Sequence, residues 1–146
     1  MKKRLFAYFL VFFQFASIAF LLTTAPVIAD TVHGLLLEVA GIILGLQAIF
    51  TMRIGNFNIA PLNKQNGQLI TKGIYSVIRH PMYLAQWLAM VGLVADYFDW
   101  WRLVVLLILT LTLQIKLHFE ERQLKQHFAG YAEYSERTRK FIPYIY

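Results

Sequence analysis

Apolar residues in this chain come in long uninterrupted blocks, and polar residues gather between them. Residues 5–24, LFAYFLVFFQFASIAFLLTT, form the first block, and residues 31–52, TVHGLLLEVAGIILGLQAIFTM, the second. A third runs over 82–98 and a fourth over 101–118. About 20 apolar residues in helical form cross a hydrocarbon layer about 30 Å thick. The pattern predicts an all-α polytopic membrane protein with four transmembrane helices, folded as a single domain over 1–146. The longest polar stretch, 53–80, carries the turn formers Pro61, Asn63, Asn66 and Gly67. DYFDWW turns the chain between the third and fourth spans. Beyond Glu120 the chain is polar and helix-friendly up to Lys140. Leu124, Phe128 and Tyr131 recur at steps of four and three, which predicts a C-terminal amphipathic cytoplasmic helix. FIPYIY closes the chain as an aromatic interface anchor.

Composition agrees with that pattern. Of 146 residues, 58% are hydrophobic and 15% charged, against roughly half and a quarter in ordinary globular domains. With no cysteine in the chain, disulfides, zinc–thiolate sites, iron–sulfur clusters and cysteine nucleophiles are excluded. The net charge of +6 sits beside apolar segments, so its expected partners are anionic membrane lipids and not nucleic acid. Lys2, Lys3 and Arg4 followed by an apolar run resemble a signal peptide, with a weak cleavage-like site near Ala29. The run is long enough to span, however, and is expected to stay as the first helix. Four spans then put both termini and the 53–80 stretch on one side, together with every lysine and arginine except Arg102. That side is cytoplasmic by the positive-inside rule, in a bacterial inner membrane.

Within the second span, Gly34, Gly41 and Gly45 share one helix face, and Gly41 and Gly45 make a small-xxx-small pair suited to close helix packing. Glu38 is the one acid well inside a span. It reads as a structural polar contact, protonated or bonded to Gln14.

The chemistry-bearing stretch is GIYSVIRHPMYLAQW, Gly73–Trp87. Pro81 suits the first turn of a helix. His80 then lies at that helix N-terminus, where free N–H groups attract an anion, and Arg79 adds a planar donor fork. Snorkelling of Arg79 at the interface is the competing reading. Glu120 and Glu121 stand at the same end of the fourth span. The short 3–4 connection makes those helices antiparallel neighbours, so the two polar clusters should meet at one membrane depth. Adjacent glutamates point about 100° apart on a helix. One can therefore face a pocket while the other pairs outside, Glu121 with Lys125 in the favourable i,i+4 order. His80, His118, His127 and the two glutamates are too few and too scattered to predict a metal site.

Gly73, Tyr75, Arg79-His80-Pro81, Tyr83, Glu120-Glu121, Tyr131, Tyr134 and Phe141-Ile142-Pro143 resemble the isoprenylcysteine carboxyl methyltransferase family, whose pattern the phospholipid methyltransferases share. The resemblance covers 67–143, and the first two helices match in hydropathy alone. It implies an S-adenosylmethionine-dependent membrane methyltransferase, with the cofactor (and its product S-adenosylhomocysteine) held at the cytoplasmic face. The implied cofactor-binding residues are Tyr75, Arg79, His80, Tyr83, Glu120 and Glu121. Tyr134 and Arg137 are candidates for the acceptor side, and no catalytic residue is implied. The residues suit that donor: His80, Arg79 and helix N–H groups for a carboxylate, a glutamate for an ammonium or ribose hydroxyl, tyrosine faces for adenine or sulfonium. The chain departs from the family at Ile74, where proline is common, at Ala85 and Ala129, where glycine is common, and in a shorter loop before Tyr131. It also lacks the extra N-terminal helices of the eukaryotic enzymes. This leaves a lipid amine, the carboxylate of an isoprenyl-type compound or another hydrophobic small molecule as the expected acceptor. The alternatives are a relative of the NADPH-dependent sterol reductases or a non-enzymatic membrane scaffold.

Overall fold

A computed structural model describes residues 2–52 and 68–142. They form five α-helices: α1 (Lys2–Thr23), α2 (Val32–Met52), α3 (Pro81–Asp96), α4 (Trp100–His127) and α5 (Tyr131–Arg137), with a 3-10 turn at Gly73–Ser76 before α3. The predicted turn formers of 61–67 and Pro143 lie outside the described residues. Among the described residues the only extended pairing is a single parallel bridge, Ile78 with Arg139.

Three of the helices, α1, α2 and α4, are long and apolar enough to cross a membrane. This narrows the expected four spans. At 16 residues, α3 reaches only about 24 Å, because Pro81 fixes its start and the chain breaks at Tyr97. It is a short apolar helix held inside the bundle. By contrast α4 has 28 residues, about 42 Å, so it runs on past the thickness it must cross. That overrun changes the predicted C-terminal helix as well. α4 continues unbroken through Glu120 and Glu121 to His127 and stops at Phe128, and a turn at Ala129–Gly130 precedes the seven-residue α5.

The buried seams explain the packing. Along α1, Ala7, Leu10, Gln14, Ser17 and Leu21 are buried, at alternating steps of three and four. The rest of that helix turns phenylalanines outward. Large apolar side chains face outward on α2 too, Phe50 being 78% exposed. An exposed apolar belt with glutamine, glutamate and lysine inside is the arrangement a lipid solvent favours. The core between helices is Leu21, Met90, Leu93, Val94, Leu106, Leu109 and Leu113.

Small residues let α2 and α3 touch. A Cβ on Gly41 would lie 2.6 Å from the Ala85 carbonyl oxygen and 3.0 Å from the Ala89 nitrogen. One on Gly92 would lie 2.7 Å from the Gly34 carbonyl oxygen. Ala85 is therefore part of a helix crossing, its methyl 3.5 Å from where a Gly45 Cβ would stand. At the end away from the candidate site, the Asp96 carboxylate accepts from Asp30 N (2.5 Å) and Thr31 N (3.2 Å), tying α3 to the start of α2. Arg102 closes that end by donating to the Tyr97 carbonyl at 2.6 Å. Glu38 accepts from Ala29 N at 3.1 Å. The expected Glu38–Gln14 contact is absent, because Gln14 is engaged on the other side of the bundle with Gln86 and Lys116.

Gly41→Ala is expected to destabilise the bundle by about 1–3 kcal/mol, since the added methyl meets backbone that has nowhere to move. Gly45→Ala should be close to neutral. Equilibrium unfolding in mixed detergent micelles compares the two.

Candidate functional site

Gly73 adopts φ +58°, a backbone state in which a Cβ is strained. It starts the 3-10 turn that buries Tyr75. After that turn the chain runs extended through Ile78 to His80 and enters α3 at Pro81. Here the C-terminal segment lies alongside. Arg79 N donates to Arg139 O (2.8 Å), Arg139 N to Val77 O (3.0 Å) and His80 N to Lys140 O (3.2 Å). Ile78, Leu84, Leu117 and Phe141 close over this junction as a second apolar core. Trp87 meets Phe141 edge-on at 5.9 Å.

Arg79 lies at the centre of this junction and is 9% exposed. Its Nε donates to Glu121 Oε1 at 2.6 Å. Its Nη1 donates to Ser135 O at 2.9 Å, and also to the carbonyl and the hydroxyl of Thr138. The snorkelling alternative does not hold, and Nε and Nη1 are engaged within the protein. Glu121 is equally buried; besides Arg79 it has Lys140 Nζ at 3.9 Å and His80 Nε2 at 3.6 Å. The expected surface pair of Glu121 with Lys125 is thereby replaced, because Arg79 pulls Glu121 inward.

Glu120 lies on the open side. Its side chain is 29% exposed, with His80 Nδ1 3.8 Å away. Tyr83 donates its hydroxyl to Glu120 Oε2 at 2.7 Å, and the His80 and Tyr83 rings are parallel, centroids 5.4 Å apart. Besides Glu38 Oε1 toward the other end of the bundle, two buried side-chain polar atoms have no hydrogen-bond partner among the described residues: His80 Nε2 and the Tyr131 hydroxyl. A separation of 3.6 Å leaves His80 Nε2 outside hydrogen-bonding reach of Glu121. Buried polar atoms are normally satisfied, so these two mark where another molecule's polar atoms would fit.

The tyrosines frame the site as neutral phenols. Burial, then the Glu120 charge, pushes the Tyr75 phenol well up. Burial, then the Glu121 charge, does the same to Tyr131. Burial raises Tyr134 to about 12, with Arg79 opposing. None is a phenolate base at neutral pH. Tyr134 donates to the Tyr75 carbonyl at 2.6 Å, so it locks α5 onto the 3-10 turn. Arg137 stands apart: it pairs with Glu133 across one turn of α5, and its side chain is 73% exposed. His118, from the weighed metal set, is exposed and bonds the Gln114 carbonyl at 2.7 Å. Among the described residues no three His, Asp or Glu side chains are gathered to hold a metal ion.

Of the six expected cofactor residues, Arg79, His80, Tyr83, Glu120 and Glu121 meet directly, and Tyr75 forms the adjoining wall. One participant was missing from the expected set. Lys116 stands in the apolar part of α4 and is 1% exposed. It donates to Gln14 Oε1, and its Nζ lies 5.1 Å from the centroid of the Tyr83 ring. A lone cation inside a hydrophobic run, four residues before the glutamate pair, was the available signal.

The family model for phospholipid methyltransferases matches residues 29–130, which takes in α2, the Arg79–Pro81 corner and the glutamate pair. The chain belongs to the phospholipid methyltransferase family. A curated relative, the cobalt-zinc-cadmium resistance protein CzcN of Cupriavidus metallidurans, is 34% identical over 84 residues, or 55% of this chain. The aligned part is 38% of that protein's length, so the chain corresponds to a minor portion of it. No solved structure matches. The family match ends before α5, leaving the segment that clasps Arg79 outside it.

Arg79→Leu is expected to cost about 3–5 kcal/mol of stability, because Glu121 would be left buried without its cation. Arg137→Ala, removing an exposed pair, should cost at most about 0.5 kcal/mol. Denaturant titration of both variants in detergent checks the contrast.

Proposed function

We propose that this protein is an S-adenosylmethionine-dependent methyltransferase whose acceptor is a hydrophobic or lipid molecule reaching the site from the bilayer. The observation that carries the reading is the pairing of a half-open carboxylate, Glu120, with a buried and unpartnered His80 Nε2 at one end of an apolar bundle. Membership of the phospholipid methyltransferase family supports the reaction class.

S-adenosylmethionine supplies an electrophilic methyl group on a sulfonium. For that donor Glu120 is the residue to hold the ammonium, by a charge-assisted hydrogen bond. His80 Nε2 and the Tyr131 hydroxyl are polar atoms free to take up its carboxylate or ribose oxygens. Tyr83 keeps Glu120 in place, and with Tyr75 it offers aromatic surface to the adenosyl group or the sulfonium. Arg79 and Glu121 serve as the framework that holds His80 and α5 together. Methyl transfer is an in-line displacement, so the work left to the chain is alignment and water exclusion. A carboxylate acceptor needs no base, whereas an amine acceptor does. The cytoplasmic face is the natural side for the site, given the concentration of lysine and arginine at that end.

Calorimetric titration of the detergent-purified protein with S-adenosylhomocysteine, S-adenosylmethionine and NADPH tests the reading. Binding of the first two, and not of NADPH, is expected. His80→Ala and Glu120→Ala should each weaken S-adenosylhomocysteine about tenfold or more, or about 1.4 kcal/mol. Wild-type protein that binds neither methionine derivative would sink the proposal.

A further inference from the structure

Lys116 has no part in the family pattern, yet among the described residues it is the most deeply buried charged side chain. Placing a cation inside a membrane helix is expensive, and such residues are functional candidates. Its surroundings connect three helices. From α1, Gln14 accepts from Lys116 and donates to Gln86 Oε1 on α3 at 2.5 Å. From α3, the Tyr83 ring faces the Lys116 ammonium at 5.1 Å, within the range of a cation–π contact. On α4 itself, Glu120 is one turn further on, the spacing that puts two side chains on one face. Tyr83 joins both ends, since its hydroxyl is bonded to Glu120 Oε2.

We infer that Lys116 is a positioning residue for the site carboxylate. It fixes the Tyr83 ring from inside the membrane, and Tyr83 in turn presents Glu120 to the cofactor ammonium. The inference rests on the proposed S-adenosylmethionine site. Buried Gln14 and half-buried Gln86 explain how α1, far from the Arg79–Pro81 corner in sequence, shapes that site. Gln14 fixes where the ammonium sits, and the ammonium fixes the ring. Other groups bear on Glu120 too: His80 before α3, Tyr75 from the 3-10 turn and Tyr131 from α5. Lys116 differs from these in standing inside the bundle, one turn before Glu120 on the same helix, with Tyr83 in contact with both.

A double-mutant cycle on S-adenosylhomocysteine affinity provides the test, measured by calorimetry on full-length protein in detergent. Lys116→Met is expected to weaken binding at least fivefold, and Lys116→Arg to restore most of it. In a Glu120→Gln background, Lys116→Met should weaken binding less than twofold, because the carboxylate it positions is gone. Tyr83→Phe should likewise shrink the effect. Should Lys116→Met fail to fold, the Gln14→Leu/Lys116→Met pair removes the orphaned amide and is measured in both backgrounds. Equal losses with Glu120 and with Gln at position 120 would overturn the inference and leave Lys116 a packing residue. Wild-type protein that binds no S-adenosylhomocysteine would instead overturn the function proposed for the site.

Discussion

The buried guanidinium of Arg79 is the constraint on which the site depends. A charge taken out of water is tolerated only if nearly every donor is met. Here the partners come from three separate places in the chain: Glu121 on α4, Ser135 on α5, and Thr138 after it. Satisfying one side chain therefore draws the C-terminal segment back against the entry to α3. The backbone bonds of Arg79, His80 and Arg139 lie in the same junction. Once that junction closes, Glu121 is occupied and inward, and its neighbour Glu120 is left on the open side.

Membrane physics accounts for where this happens. With apolar side chains already favourable in lipid, the helices are held by close backbone approach and by polar pairs inside. Gly41 and Gly92 supply the approach; Gln14, Gln86 and Lys116 supply the pairs. α3 is short and begins beside Leu117, whereas α4 continues about 15 Å beyond that level. The overrun of α4, with α5 and the extended strip before α3, builds a polar cap over one end of an apolar bundle. An acceptor dissolved in the bilayer and a water-soluble donor can meet at such a boundary.

Much of this was legible in the sequence. Long apolar blocks locate the helices, because lipid demands complete internal hydrogen bonding and allows few alternatives, although α4 runs on to His127, well past the expected end at 118. Pro81 at a helix start and Gly41 at a crossing were readable for the same kind of steric reason. The meeting of Arg79–His80 with Glu120–Glu121 followed from a short turn between antiparallel helices. The division of labour between the glutamates was not readable, since both belong to one motif and only burial separates them. Nor was the standing of α3 as a span: its expected bounds, 82–98, lie close to the observed Pro81–Asp96, yet it is not among the three helices long and apolar enough to cross. Ala85, an apparent change at the site, belongs to the α2–α3 crossing, a contact no local pattern announces. Lys116 looked like one more basic residue on the cytoplasmic side. Its burial depends on Gln14, about a hundred positions away, and pairings at that separation leave no periodic trace.

Under the proposed function, residues around the Arg79–Pro81 corner and the glutamate pair together hold S-adenosylmethionine. Ultraviolet cross-linking of tritiated S-adenosylmethionine to the detergent-solubilised protein, with peptide mapping, tests it most directly. Label is expected within residues 75–87 or 116–134, suppressed by excess S-adenosylhomocysteine. Suppressible label confined to α1, or to the Thr24–Thr31 end of the bundle, would contradict it.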